Sequence, residues 1–228
     1  MPVHSSGLLL RASKRKISSF GYVTGGQSDA NSTGFSLPGV NLGDPDDERY
    51  VIVAAMNADS SGNQITGCAV GGVTATLLVR ANNTSGTACS AALFIAKVTS
   101  GNEANVSVSG LLATGWGAAV WVARGLVSMT PAGIDSFTST SSGTVASTSV
   151  PIPAWGFAVY GRTNFNTGST MSWSGATERL DLKGDLLVSA ADTLNLTANA
   201  TQPNVASTSG DSRRAMVAAS FAFKYPLS

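Results

Sequence analysis

The chain has 228 residues, a formal net charge of +1, and only 12% charged side chains. It carries one histidine, His4, and two cysteines. Catalytic mechanisms draw on convergent acids, bases, nucleophiles or metal ligands, and this composition supplies few. The near-zero net charge provides no global field for nucleic acid or a membrane surface. The hydrophobic fraction of 43% exceeds that of disordered chains, so a sizeable core is expected.

Residues 1–19 read as a basic N-terminal arm carrying Arg11, Lys14, Arg15 and Lys16 with no acid among them. Leu8-Leu9-Leu10 is too short for a signal core, and the positive charges follow it, so no secretory signal is expected. Residues 20–228 read as one β domain. A first strand is expected around Phe20, Tyr22 and Val23, followed by a polar loop over residues 24–34.

From Tyr50 the pattern is short apolar runs broken by Gly, Asn and Ser turns, the spacing of a sandwich or barrel. Strands are expected over Tyr50–Met56, Ile65–Val70, Ala75–Arg80, Ala88–Val98, Ala104–Ser109 and Ala118–Leu126. The Ser/Thr-rich stretch Ser136–Ser149 reads as two edge strands. Further strands are expected over Gly156–Tyr160, Ser169–Trp173, Glu178–Leu182, Leu186–Ser189 and Leu194–Asn199. In the last strand, Met216–Tyr225, alternation puts Val217, Ala219, Phe221, Phe223 and Tyr225 on one face. No amphipathic helix stands out.

Sites are few. Gly115-Trp116-Gly117 lacks the third glycine and the strand–turn–helix setting of a dinucleotide fingerprint. Gly34-Phe35-Ser36-Leu37-Pro38 lacks the closing glycine of a nucleophile elbow. No catalytic, cofactor or metal residue is assigned. The acidic group Asp44, Asp46, Asp47 and Glu48 reads as a solvated turn, with calcium binding as the alternative. Cys68 and Cys89 read as buried thiols, with a disulfide as the alternative. Trp121 is expected in the core. Trp116 and Trp155, beside turn glycines, are the candidates for contact with a ligand, with core packing as the alternative.

Three stretches carry a resemblance: Gly43-Asp44-Pro45 through Glu48-Arg49-Tyr50-Val51-Ile52-Val53-Ala54-Ala55, then Val70-Gly71-Gly72-Val73-Thr74-Ala75-Thr76, then Ala96-Lys97-Val98-Thr99-Ser100-Gly101 with Val106-Ser107-Val108-Ser109. Residues 40 to 126 resemble bacteriophage virion proteins of the capsid-decoration, fibre and tail-tip kind. The resemblance implies a jelly-roll-like or immunoglobulin-like β-sandwich that oligomerises on the particle.

The expectation is therefore an all-β, jelly-roll-like sandwich with a short N-terminal arm. It is expected to be a structural component of a phage particle, not an enzyme, made in the host cytoplasm and needing no cofactor. Its partners would be copies of itself and other virion proteins, with the basic arm docking. The alternative is a carbohydrate- or receptor-binding module using Trp116 or Trp155, with a host surface glycan as partner.

Overall fold

The computed structural model describes residues 16–59, 64–83, 88–139, 144–165, 170–197, 200–208 and 213–227. The protein is an all-β sandwich, and no helix occurs among the described residues. In chain order the first nine strands are β1 (Ser19–Ser28), β2 (Ser32–Asn41), β3 (Arg49–Asp59), β4 (Ile65–Val70), β5 (Val73–Thr74), β6 (Thr76–Asn83), β7 (Ala88–Lys97), β8 (Glu103–Ala113) and β9 (Gly115–Arg124). The remaining strands are β10 (Gly133–Ser139), β11 (Val145–Ile152), β12 (Gly156–Asn164), β13 (Ser172–Ser174), β14 (Thr177–Lys183), β15 (Leu187–Asn195), β16 (Ala200–Thr208) and β17 (Arg214–Ala222).

The strands form four sheets with one order used twice. The first half builds β1-β9-β3-β7-β6 and β2-β8-β4-β5; the second builds β10-β17-β12-β15-β14 and β11-β16-β13. The registers match as well. Ile52 pairs with Ile95 and Trp121, and five residues along the strands Asn57 pairs with Ser90 and Trp116. In the second half Phe157 pairs with Leu194 and Phe221, and five residues along Arg162 pairs with Ser189 and Met216. The second half of the chain thus repeats the strand order of the first, apart from β5, which has no counterpart.

The two five-stranded sheets pack face to face. β12 lies over β3, β17 over β7, β15 over β9, β10 over β6 and β14 over β1. β17 also packs on β6 and β12 on β7, with no equivalent packing of β9 on β14 or β3 on β15 among the described residues, so the two sheets lean together on the β6–β10 side of the β3–β12 crossing. At that crossing the backbones come close: a Cβ on Gly161 would lie 2.9 Å from the Ala54 Cβ. The central core between these sheets holds Ile52, Met56, Leu93, Trp121, Phe157, Val188, Val217 and Phe221. Two outer cores flank it. One, with Val51, Val53, Val106 and Val108, lies under the β2-β8-β4-β5 sheet; the other, with Val150, Ile152, Tyr160 and Met216, lies under the β11-β16-β13 sheet.

This layering explains the continuously apolar strands, because β3, β7, β9, β12 and β17 are covered on both faces. The expected face of the last strand is observed in part: Val217, Ala219, Phe221 and Phe223 enter the central core, but β17 ends at Ala222, and Tyr225, expected on that face, lies beyond the strand with its hydroxyl 3.5 Å from a Glu48 carboxylate oxygen. The stretch Ser136–Ser149 does yield two strand segments, in β10 and β11. Two more expectations change. Residues 24–34, expected as a loop, contribute to β1 and β2, because Phe35, Leu37 and Val40 supply an inner face. Leu194 and Asn195 close β15, and a separate strand, β16, follows at Ala200–Thr208.

Candidate functional site

Both five-stranded sheets present one end at which β1, β3, β6, β10, β12 and β14 begin and β7, β9, β15 and β17 finish. The chain's two outer segments meet here. Ser18 forms a bridge with Leu227, donates its hydroxyl to the Gly125 carbonyl at 3.1 Å, and accepts from the Tyr225 N–H at 3.1 Å.

Arg49 organises this end. It is fully buried, and its guanidinium donates only to carbonyls: Nε to Val98 at 2.7 Å, Nη1 to Gly43 and Asp44, and Nη2 to Ser100 and Gly101. All five N–H groups are thereby used, and the β2–β3 and β7–β8 loops are clasped together. The Arg-led apolar strand noted in the sequence is this device.

Of the expected docking arm, Arg11, Lys14 and Arg15 lie outside the described residues. Lys16 sits at this end with its Nζ 3.3 Å from Glu48 Oε1, and Lys224 approaches the same oxygen at 3.3 Å. Burial raises the Glu48 carboxyl pKa, but the hydrogen bonds and charges of the two lysines outweigh it and hold it below the usual value. The Asp46 carboxylate accepts the Glu48 N–H at 2.6 Å, closing the acidic turn on itself. No cluster of metal-ligating side chains occurs among the described residues.

The two candidate tryptophans separate. Trp116 is completely buried in the outer core of the first half, and its indole N–H donates to the Ser32 carbonyl at 3.0 Å. Its expected place on a rim is corrected: it lies within β9, a strand covered by sheets on both faces. Trp155 is 48% exposed, at the turn leading into β12. It is the only described non-glycine residue with positive φ, at 54°, a conformation that costs energy unless the surroundings impose it. They do: its carbonyl accepts the Phe223 N–H at 2.8 Å, and Gly156 is hemmed in by the Phe221 and Pro153 carbonyls. Trp121 is core, as expected, with its indole N–H on Asp192 at 2.9 Å.

Cys68 and Cys89 are both buried, in different cores, and do not form a disulfide with each other. Burial pushes the Cys68 thiol up to about 12.

Exposed apolar side chains gather at the same end: Ile17, Leu77, Val127, Ile134, Trp155, Leu194 and Leu196. Leu111, Leu112 and Val145 lie at the other. Where β6 and β10 begin, a groove of about 490 Å³ is lined by Leu77, Leu78, Met129, Pro131 and Ile134, among others, with no charged side chain; at their far ends the two strands are joined, the Asn83 side-chain amide donating to the Ser139 carbonyl at 2.7 Å. On the opposite edge, β1 turns aromatics into the central core. Phe20 stacks on Phe157 at 3.9 Å, and Tyr22 meets Trp121 edge-on at 5.8 Å.

Sequence reading missed this groove, because its walls come from strands more than fifty residues apart. It also missed the buried Asp192 and its partner Arg179, whose types carry no spacing signal.

No protein-family model matches the chain, and no curated protein matches it.

Proposed function

We propose that this chain is a structural component of a bacteriophage particle, held by protein–protein contacts with copies of itself and with other virion proteins. The observation that carries this reading is the groove where β6 and β10 begin, beside which Leu77 and Ile134 are 41% and 52% exposed and whose lining carries no charge. Unpaired edge strands recruit further chains, and contiguous exposed apolar surface marks interaction sites. Burying a side chain such as Leu77 or Ile134 contributes up to about 2–3 kcal/mol. The phage setting rests on the resemblance over residues 40 to 126, and it makes the virion, assembled in the host cytoplasm, the site of action. In this reading each half is jelly-roll-like: β1 pairs with β9, β2 with β8 and β3 with β7, so the outermost strands pair first with last.

The test is incorporation. Particles assembled with a Leu77→Lys, Ile134→Lys chain should lack it, while the variant's thermal melt stays that of the parent. Normal incorporation of the variant would overturn the reading.

A second reading, a carbohydrate- or receptor-binding module that attaches to a host surface, is favoured by one observation. Trp155 presents an exposed indole from a turn whose backbone is fixed. Exposed, immobilised aromatics are typical anchors for ligand faces. Loss of glycan-array binding in Trp155→Ala supports this reading, and absence of any glycan binding by the intact protein contradicts it.

A further inference from the structure

Near the end of β15, whose Asn195 pairs with Gly156, the residue after Trp155, lies a cavity of about 310 Å³ lined by Gly175, Thr177, Arg179, Asp192, Thr193 and Leu194, among others. Its polar centre is built, because the Asp192 side chain is only 3% exposed. Oδ2 of Asp192 accepts the Trp121 indole N–H and the Arg179 Nε–H, each at 2.9 Å, and Oδ1 accepts Arg179 Nη2 at 3.0 Å. This fixes the plane of a guanidinium whose side chain is 41% exposed. Arg179 has five N–H groups, and the two bonds to Asp192 are its only hydrogen bonds among the described residues. Three donors therefore remain in a fixed fork.

The apolar part is adjacent. Leu194 lines the cavity, is 45% exposed, and pairs across the sheet with Phe157, two residues after Trp155. The next residue, Asn195, donates its side-chain amide to the Pro153 carbonyl at 3.2 Å, tying the Trp155 turn to the end of β15.

We propose that this cavity binds a neutral sugar ring. Arg179, with the Thr177 hydroxyl, meets the sugar's hydroxyl groups, and Leu194, extended by Trp155, meets its apolar face, while the Thr193 hydroxyl is held by the Gly175 carbonyl at 3.0 Å. An adjacent pair of hydroxyls suits a planar donor fork. Asp192 already neutralises the guanidinium charge, so the site favours a polyol over a phosphate or carboxylate. A volume near the lower end of small-molecule sites suits one or two rings. This assignment rests on the second reading above.

The experiment uses the intact chain and a panel of methyl hexosides and N-acetylhexosamines. Binding is followed by saturation-transfer NMR and tryptophan fluorescence. At least one sugar should bind saturably, Trp155→Ala and Arg179→Gln should each weaken it about tenfold or more, and inorganic phosphate should not displace it. Should Arg179→Gln fail to fold, Trp155→Ala and Thr177→Val decide. A sugar that Trp155→Ala loses but that Arg179→Gln or Thr177→Val binds as the parent does, or one displaced by phosphate, overturns this site while leaving the receptor-binding reading intact. No saturable binding of any sugar overturns both.

Discussion

The indole N–H of Trp121 and the carboxylate of Asp192 meet at 2.9 Å across the two halves of the molecule, β9 to β15, inside the central core. A buried donor without its acceptor incurs the desolvation cost of that group. Asp192→Ala should therefore destabilise the fold by about 2–3 kcal/mol, since it orphans the indole N–H and removes the Arg179 partner. Asp192→Asn, which keeps one acceptor, should cost about half as much. Urea denaturation measures both. A cost for Asp192→Ala well under 1 kcal/mol would show that the pin contributes little.

The same junction is closed by a missing side chain. A Cβ on Gly117 would sit 2.5 Å from Val188 Cγ2. Gly117→Ala should cost about 1–3 kcal/mol by overpacking. Val188→Ala opens the space, so the double variant should be more stable than the sum of the two single costs predicts, by about 1 kcal/mol or more. Strict additivity in this cycle would contradict the contact.

Arg49 sits in a ring of five backbone carbonyls with no carboxylate among its hydrogen-bond partners. Lysine cannot reproduce that fork. Arg49→Lys should lower stability by about 2–4 kcal/mol and loosen both clasped loops. Hydrogen exchange at the Leu42 and Val98 amides, which bond to Asn102 and Arg49 carbonyls, should speed up at constant global stability correction. Unchanged exchange would exclude the clasp.

Much of the architecture is legible in the residues. Continuous apolar runs such as Val51–Met56 mark strands buried on both faces, and alternation in Met216–Phe223 marks the central-core face correctly. The doubling is much harder to see. Its traces are Ala118-Ala119-Val120-Trp121 against Ala218-Ala219-Ser220-Phe221, and Ser90-Ala91-Ala92 against Ser189-Ala190-Ala191. In a chain rich in Ala and Ser such matches carry little information, and only the paired registers make them equivalent. Trp116 shows the same limit from the other side. Flanking glycines suggest a turn, yet Gly115 and Gly117 are there because Leu186 and Val188 press against them. The Arg179–Asp192 pair depends on neighbouring strands, and nothing local announces it.

Alkaline pH should weaken the fold through two buried acids. Burial pushes the Cys68 thiol from 9.0 up to about 12 and the Tyr160 hydroxyl from 10.0 up to about 12. Above pH 9 the unfolded chain releases the Cys68 proton while the folded chain keeps it, so stability present below pH 9 is lost as pH rises toward 12. Tyr160 acts alike between 10 and 12. Urea midpoints should fall more steeply with pH for the parent than for Cys68→Ala. Parallel slopes would contradict the shift. At about pH 8 both thiols should resist an aromatic disulfide reagent until the chain unfolds.

In the proposed assembly, the groove where β6 and β10 begin joins this chain to its neighbours. Sedimentation equilibrium of the intact protein, from about micromolar to about millimolar concentration, tests it most directly. The parent should associate reversibly as concentration rises, and the Leu77→Lys, Ile134→Lys variant should stay monomeric with an unchanged melt. A parent that remains monomeric throughout, or a variant that associates as the parent does, would contradict it.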